Sequence, residues 1–266
     1  MQATSKHPSE SSWLDRPLLS TITINWELVL FVGIVVIAIV TRFYDLGTRV
    51  MSHDESLHTY YSWQLFRGFG FQHSPLMHGP FQFVFIALSY FIMGDGDFSA
   101  RIPAVLTSIA TVAFMWQYRR YLGRVGALIA AVLFTISPYM LYYGRYVRNE
   151  AYVGLFGIIA LWAILRYLDS GEHKYLYYLS VATVLHFTAK ETAFIYVAQA
   201  LLFLGFLFIQ HVYRAVWPNP DQKRAFLITL IIGFAFLGLA GGTYMLARNP
   251  TLLNPDETAA PVDPEH

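Results

Sequence analysis

PFQFVFIALSYFIM, residues 80–93, is an apolar run of 14 residues, and the topology of the chain turns on whether it crosses a membrane. A bilayer core about 30 Å thick needs roughly 20 apolar residues, and runs of about 10–14 more often lie at the interface or re-enter. On either side stand runs long enough to cross. Asn25–Arg42 precedes it, and Ile102–Tyr118, Val125–Tyr143, Tyr152–Leu168, Leu176–Thr188, Thr192–His211 and Ala225–Leu246 follow, giving seven expected spans. The fifth is short and tyrosine-rich. Charge decides the case of residues 80–93. If they do not cross, the short basic loops (Arg119, Arg120 and Arg124; Arg166 and Lys174; Arg214, Lys223 and Arg224) share the cytoplasmic side with Lys6 and Arg16. If they cross, the basic loops divide between the two sides. The first arrangement is the expected one: N-terminus inside, and one long outer loop over 43–101.

The composition agrees with an all-α polytopic membrane protein. The chain is 56% hydrophobic and only 13% charged, against about 25% charged in soluble domains. A net charge of +1 gives no basis for a nucleic-acid partner. With no cysteine there is no disulfide framework, thiolate nucleophile or cysteine metal site. The expected organisation is a cytoplasmic segment over 1–24 that lacks the pattern of a cleavable signal peptide, a membrane module over 25–247, and a Pro- and acid-rich disordered tail over 248–266 on the outer side. Within the outer loop, Asp54 to Arg67 reads as a short amphipathic helix ended by Gly68-Phe69-Gly70, and Pro75 and Gly79-Pro80 break the chain before the interfacial run.

Three polar clusters fall on the outer side in this topology: His53-Asp54-Glu55 after the first span, Arg145-Tyr146-Val147-Arg148-Asn149-Glu150 after the third, and Lys190-Glu191 between the fifth and sixth. Two carboxylate sites with three cations form an inventory for transfer from an anionic phosphate leaving group. A carboxylate takes the acceptor's proton as general base, and Arg and Lys neutralise the departing phosphate. Plainer readings stand beside this one. Asp54 or Glu55 caps a helix start, Arg145 and Arg148 anchor at the interface, and Lys190-Glu191 is a structural pair. The outer-loop histidines invite a metal, but His53 and His58 are five apart, not the i, i+4 spacing of a zinc helix. His186, inside the fifth span, reads as a hydrogen-bonded core residue. No cofactor is expected, though Asp54 and Glu150 offer hard oxygen ligands of the kind that suit Mg²⁺ or Mn²⁺.

These motifs, in this order, resemble the GT-C superfamily of polytopic glycosyltransferases, which includes protein O-mannosyltransferases, aminoarabinose lipid A transferases and oligosaccharyltransferase catalytic subunits. The matching features are His53-Asp54-Glu55-Ser56-Leu57-His58, His78-Gly79-Pro80, Phe98-Ser-Ala-Arg101-Ile-Pro103, Ser137-Pro138 with Gly144 to Glu150, and Thr188-Ala189-Lys190-Glu191-Thr192. The likeness spans about Asn25 to Arg214 and is nearest to the flippase-activity-associated, mannosyltransferase-like subgroup. It implies a polyprenyl-phosphate sugar donor and catalysis at the extracytoplasmic face, with Asp54 as base or acceptor-orienting residue. It further implies that Glu150 aids the acceptor or a metal, and that Arg145, Arg148 and Lys190 face the lipid phosphate. Glu55 and Glu150 join Asp54 as catalytic candidates. His53, His58, His78, Arg101, Asn149 and Glu191 complete the expected substrate-binding set. The expected partners are the lipid donor, membrane lipids and other membrane proteins. The chain is shorter than is usual for the superfamily, so an incomplete or partner-dependent form is also expected. Two rival readings stay open: a non-catalytic subunit that binds a polyprenyl lipid or another membrane protein, and a transporter. The transporter is disfavoured because no internal repeat is visible and the charges gather at one surface.

Overall fold

The computed structural model describes residues 26–71 and 78–248, and every regular element among them is helical. The segment expected over 1–24 and nearly all of the expected tail lie outside the described residues, as does His73. In chain order the helices are α1 (Trp26–Phe43), α2 (His53–Phe66), α3 (Phe81–Met93), α4 (Asp97–Phe114), α5 (Arg119–Ile136), α6 (Pro138–Tyr143), α7 (Glu150–Ser170), α8 (Lys174–Ala189), α9 (Ala193–Arg214) and α10 (Pro220–Arg248). A single 3₁₀ turn, Met115–Tyr118, joins α4 to α5.

Among the described residues five stretches are long and apolar enough to cross a membrane: Trp26–Phe43, Asp97–Ile136, Glu150–Ser170, Ala193–Arg214 and Pro220–Arg248. The second is 40 residues long and contains a sharp turn, because Gly123 sits at φ 72°, ψ 173°, where a side chain would be strained. Ion pairs show that it doubles back along α1. At the start of α1, Glu27 takes Arg119 at 2.6 Å and Arg124 at 3.5 Å. At the end of α1, fully buried Arg42 donates to Ser108 Oγ at 2.8 Å and to the Phe134 carbonyl at 2.9 Å. Arg42 thus spends its donors on a serine of α4 and on carbonyls at the end of α5, where a helix dipole favours a cation. The expected fifth span is α8, which at 16 residues falls below the length of the five crossing stretches.

The molecule divides into two compact units, residues up to Phe203 and residues from Leu204. In the first, the core between α1, α4 and α5 gathers Phe31, Ala38, Val112, Met115 and Ala131. The hairpin of α7 and α8 turns at Gly171, which takes the left-handed conformation of a helix C-cap. Its antiparallel course is fixed at one end by Arg166 on the Tyr175 hydroxyl at 2.6 Å and at the other by Lys190 on Glu150 at 2.7 Å. In the second unit, α10 buries no residue.

Residues 80–93 form the short apolar helix α3 and its cap. α3 has 13 residues, too few to cross. Both its ends lie at the same end of the bundle. Phe81 packs on Tyr152 at the start of α7, and Ser89 hydrogen-bonds the Ser99 carbonyl at the start of α4. The helix expected from Asp54 is α2, but the face it buries is polar, with Glu55, His58, Thr59 and Ser62 turned inward and Leu57 exposed, so it is not the amphipathic interfacial helix expected.

Candidate active site

Ser52-His53-Asp54-Glu55 is a capping box: the Ser52 hydroxyl accepts from the Glu55 N–H, and Glu55 Oε2 accepts from the Ser52 N–H at 3.2 Å. This aims Glu55 inward and leaves Asp54 at the rim. Glu55 is fully buried. Arg101 of α4 donates Nε to its Oε1 at 3.0 Å and Nη2 to Oε2 at 3.2 Å, Arg49 reaches Oε2 at 2.7 Å, and the Val147 N–H donates to Oε1 at 3.2 Å. Burial works to raise its pKa, but the Arg101 and Ser52 hydrogen bonds outweigh this and hold the carboxyl below the usual glutamate value. Arg101, itself buried, also donates to the Leu46 carbonyl at 2.8 Å. One carboxylate therefore ties α2, α4 and the 144–149 turn together, and no face of it is open to a substrate. Glu55 and Arg101, both expected to meet substrate, are enclosed instead.

Asp54 keeps 45% of its side chain exposed and pairs with Arg148 Nη1 at 2.8 Å. Arg148 Nε lies 3.7 Å from Glu150 Oε2, and Glu150 Oε1 accepts from Lys190 Nζ at 2.7 Å. A continuous chain of alternating charge, Asp54–Arg148–Glu150–Lys190, thus joins three segments that are far apart in sequence. Arg145 does not join it; its guanidinium donates to the Tyr44 carbonyl at 2.5 Å. Asn149 is buried beside the chain, and neither atom of its amide has a hydrogen-bond partner.

The histidines divide by environment. His53 is exposed at the start of α2. His78 pairs through Nδ1 with Glu191 Oε2 at 2.7 Å. The adjoining Gly79 runs so close to the Thr188 carbonyl of α8 that no Cβ fits, and its N–H donates to the Ala189 carbonyl. His58 is 4% exposed, packed on Phe83 at 5.5 Å with the His78 ring 6.5 Å away. Burial, with the nearby His78 and Arg148 charges adding to it and Asp54 and Glu150 opposing, pushes its pKa down to about 4. Among the described residues no three His, Asp or Glu side chains converge as metal ligands.

The charged chain stands at one end of a cavity of about 950 Å³ between α7, α8 and α9. Glu150, Lys190 and Thr192 line that end, and Leu161, Ile164 and Leu179 line the apolar depth. Gly154 and Gly157 line the α7 wall, and at Gly157 the Tyr196 ring of α9 packs 3.4 Å from where a Cβ would stand. From Glu150 to Ile164 the helix rises roughly 21 Å at about 1.5 Å per residue, enough to house several isoprene units. His186 lines the same cavity one turn below Lys190, against Tyr196, and its buried Nε2 has no hydrogen-bond partner. The core hydrogen bond expected of it is therefore not made by Nε2 among the described residues. Sequence reasoning missed this cavity; the spaced glycines of α7 opposite a Thr183/His186/Lys190 face on α8 are the signal that pointed to it.

The chain is an all-helical membrane protein whose Asp54–Arg148–Glu150–Lys190 chain lies at one end of its α7–α8 hairpin, and comparison with known families gives its class. Residues 77–238, more than half of the chain, match the family model described as dolichyl-phosphate-mannose-protein mannosyltransferase. The chain belongs to that family of membrane glycosyltransferases, within the GT-C superfamily. The matched region contains Arg148, Glu150 and Lys190 but begins after α2, so Asp54 and Glu55 lie before it. No curated protein and no solved structure matches the chain.

Proposed function

We propose that this protein transfers a hexose from a polyprenyl-phosphate donor to a hydroxyl acceptor at the extracytoplasmic end of the bundle. The observation that carries the reading is the Asp54–Arg148–Glu150–Lys190 chain at the charged end of a lipid-sized apolar cavity. The donor's lipid tail lies along α7, and its phosphate meets Lys190 and Arg148. The acceptor hydroxyl gives its proton to Asp54. Its oxygen forms the new bond to the anomeric carbon from the face opposite the phosphate, the carbon–oxygen bond to the phosphate breaks, and the electron pair leaves on the phosphate with inversion at that carbon. Charge develops on the phosphate as that bond stretches, so preplaced cations act where the transition state needs them. Glu150 lies between the two cations, 2.7 Å from Lys190 Nζ and 3.7 Å from Arg148 Nε, and keeps both at this end of the cavity. Lys190 and Arg148 supply positive charge to the departing phosphate.

The family's description names a polyprenyl-type phosphate sugar as donor, which supports this choice. The side of the membrane is supported by charge. Arg119, Arg120 and Arg124, and Arg166 and Lys174, lie at the opposite ends of their helices from Asp54 and Lys190, and basic loops favour the cytoplasm.

The test is release of polyprenyl phosphate from polyprenyl-phosphate mannose by the purified chain in liposomes, with wild type compared with Lys190→Met. Removing one preplaced charge donor slows such reactions by about 10²–10³-fold. Release at wild-type rate from the Met variant contradicts the assignment of Lys190 to the phosphate.

A further inference from the structure

Two polar groups on the wall of the α7–α8–α9 cavity are left without a hydrogen-bond partner among the described residues. The first is His186, which is 3% exposed and leaves Nε2 unpaired. Its ring is held in place. Tyr196 of α9 packs on it with centroids 4.6 Å apart, and on the α7 side its Cε1 stands 4.0 Å from where a Cβ on Gly157 would be. The second is Thr192, whose Oγ1 is buried and likewise unpaired. A threonine just before a helix ordinarily gives its oxygen to the N–H of the second or third helical residue. In α9 those residues are Phe194 and Ile195, and their N–H groups go instead to the Glu191 and Thr192 carbonyls at 3.1 and 2.9 Å, so the hydroxyl is left over.

Lys190 stands one turn above His186, and its backbone N–H donates to the His186 carbonyl at 3.0 Å. Four residues of helix rise about 6 Å. The Lys190 ammonium, the Thr192 hydroxyl and, as its N–H tautomer, His186 Nε2 therefore offer three donors around one end of the cavity. Among the described lining residues the one acid is Glu150, already paired with Lys190 at 2.7 Å. Buried polar groups are hydrogen-bonded as a rule, because an unmade bond forfeits hydration. Leu161, Ile164 and Leu179 deeper down suit only hydrocarbon. The ligand that completes this cavity is an anionic acceptor group at the head of an apolar chain.

We infer that His186 and Thr192 are ligands of the lipid phosphate, which sits inside the cavity below Lys190 rather than at its rim. This inference rests on the transfer reading above. Lys190 and Arg148 meet the phosphate from the rim, and His186 and Thr192 meet it from within. The donor's diester phosphate offers two non-bridging oxygens and the released monoester offers three, so the extra donors have acceptors in both states. Hydrogen bonds to a charged group are the stronger kind.

The test is equilibrium binding of farnesyl phosphate and farnesol, which share a chain and differ in the phosphate, to the full chain in nanodiscs, with uptake by empty nanodiscs subtracted. Wild type is compared with His186→Phe, His186→Gln, Thr192→Val and Lys190→Met. The readout is the ratio of the two affinities, which general damage to the cavity leaves unchanged. Thr192→Val is nearly isosteric and removes no helix cap, so it keeps the test open if His186→Phe fails to fold. The preference for phosphate is expected to fall about tenfold in His186→Phe and in Thr192→Val, and His186→Gln, which keeps an N–H donor, retains most of it. An unchanged ratio in either of the first two variants overturns the inference. If Lys190→Met lowers the ratio while those two do not, the phosphate stays at the rim and the transfer reading stands. Displacement of farnesyl phosphate by inorganic phosphate at equal concentration overturns a lipid source for the ligand. Absence of any phosphate preference in wild type defeats both readings.

Discussion

Glu55→Gln is the substitution whose cost follows most directly from the geometry. The carboxylate is fully buried and receives Arg101 through two hydrogen bonds, Arg49, and two backbone N–H groups from separate segments. An amide of the same shape removes the charge that compensates buried Arg101 and turns an N–H group toward donors. Removing one partner of a buried ion pair costs about 3–5 kcal/mol, because the other charge is left uncompensated. At about 2–4 °C per kcal/mol for a chain of this size, the unfolding midpoint in a fixed detergent falls by roughly 10 °C. Glu55→Met with Arg101→Met restores part of the loss, since no orphan charge remains, but not all of it, because the Ser52 and Val147 N–H groups still lose their acceptor. The pH dependence has a definite sign. The folded pKa lies below the ordinary value of 4.5, so the stabilisation is complete above that pH and is lost as pH falls through the folded value. An unfolding midpoint for Glu55→Gln within about 2 °C of wild type refutes the assignment of Glu55 as the clamp between α2, α4 and the 144–149 turn.

Three further outcomes follow from the same geometry. His58 has its pKa pushed down to about 4 from 6.5, so the fold binds it neutral; stability is full above pH 6.5 and declines as pH falls toward 4, by an amount of order 3 kcal/mol, and this slope flattens in His58→Gln when unfolding midpoints are measured across that range. Gly79→Ala drives a Cβ into the Thr188 carbonyl and costs about 1–3 kcal/mol as an overpacked contact, seen as a lower midpoint and faster proteolysis near His78. Arg145→Met, whose cation meets only the Tyr44 carbonyl, leaves the donor KM within about twofold of wild type, whereas Arg148→Met raises it by tenfold or more, as loss of a charge-assisted phosphate contact of about 1.5–3 kcal/mol requires.

How far the sequence carried the account can be judged element by element. Residues 80–93 were legible because length and loop charge are one-dimensional properties, and both argued against crossing. The start of α2 was legible for the same reason: Ser52-x-x-Glu55 is a local pattern. What that pattern does to Glu55 was not legible, since Arg101 and the Val147 N–H lie 46 and 92 residues away. Adjacent acids looked equivalent, and only the helix face separates rim Asp54 from enclosed Glu55. The convergence of Asp54, Arg148, Glu150 and Lys190 was expected from topology, but the diversion of Arg145 to a backbone carbonyl depends on a turn whose path no periodicity reports. The cavity was missed because its walls on α7, α8 and α9 read as ordinary apolar helix. The five crossing stretches fall short of the seven expected spans because the α4–α5 hairpin is joined through a 3₁₀ turn and α8 is short.

The central claim is that Asp54 takes the acceptor's proton during transfer from a lipid phosphate. The most direct test is single-turnover release of polyprenyl phosphate from radiolabelled polyprenyl-phosphate mannose in liposomes, comparing wild type with Asp54→Asn at equal folded concentration. Asp54 is half-exposed, so the Asn variant keeps the fold and its unfolding midpoint; the account predicts that acceptor-dependent release falls by about 10²–10⁴-fold. Release at the wild-type rate from a folded Asn variant contradicts it.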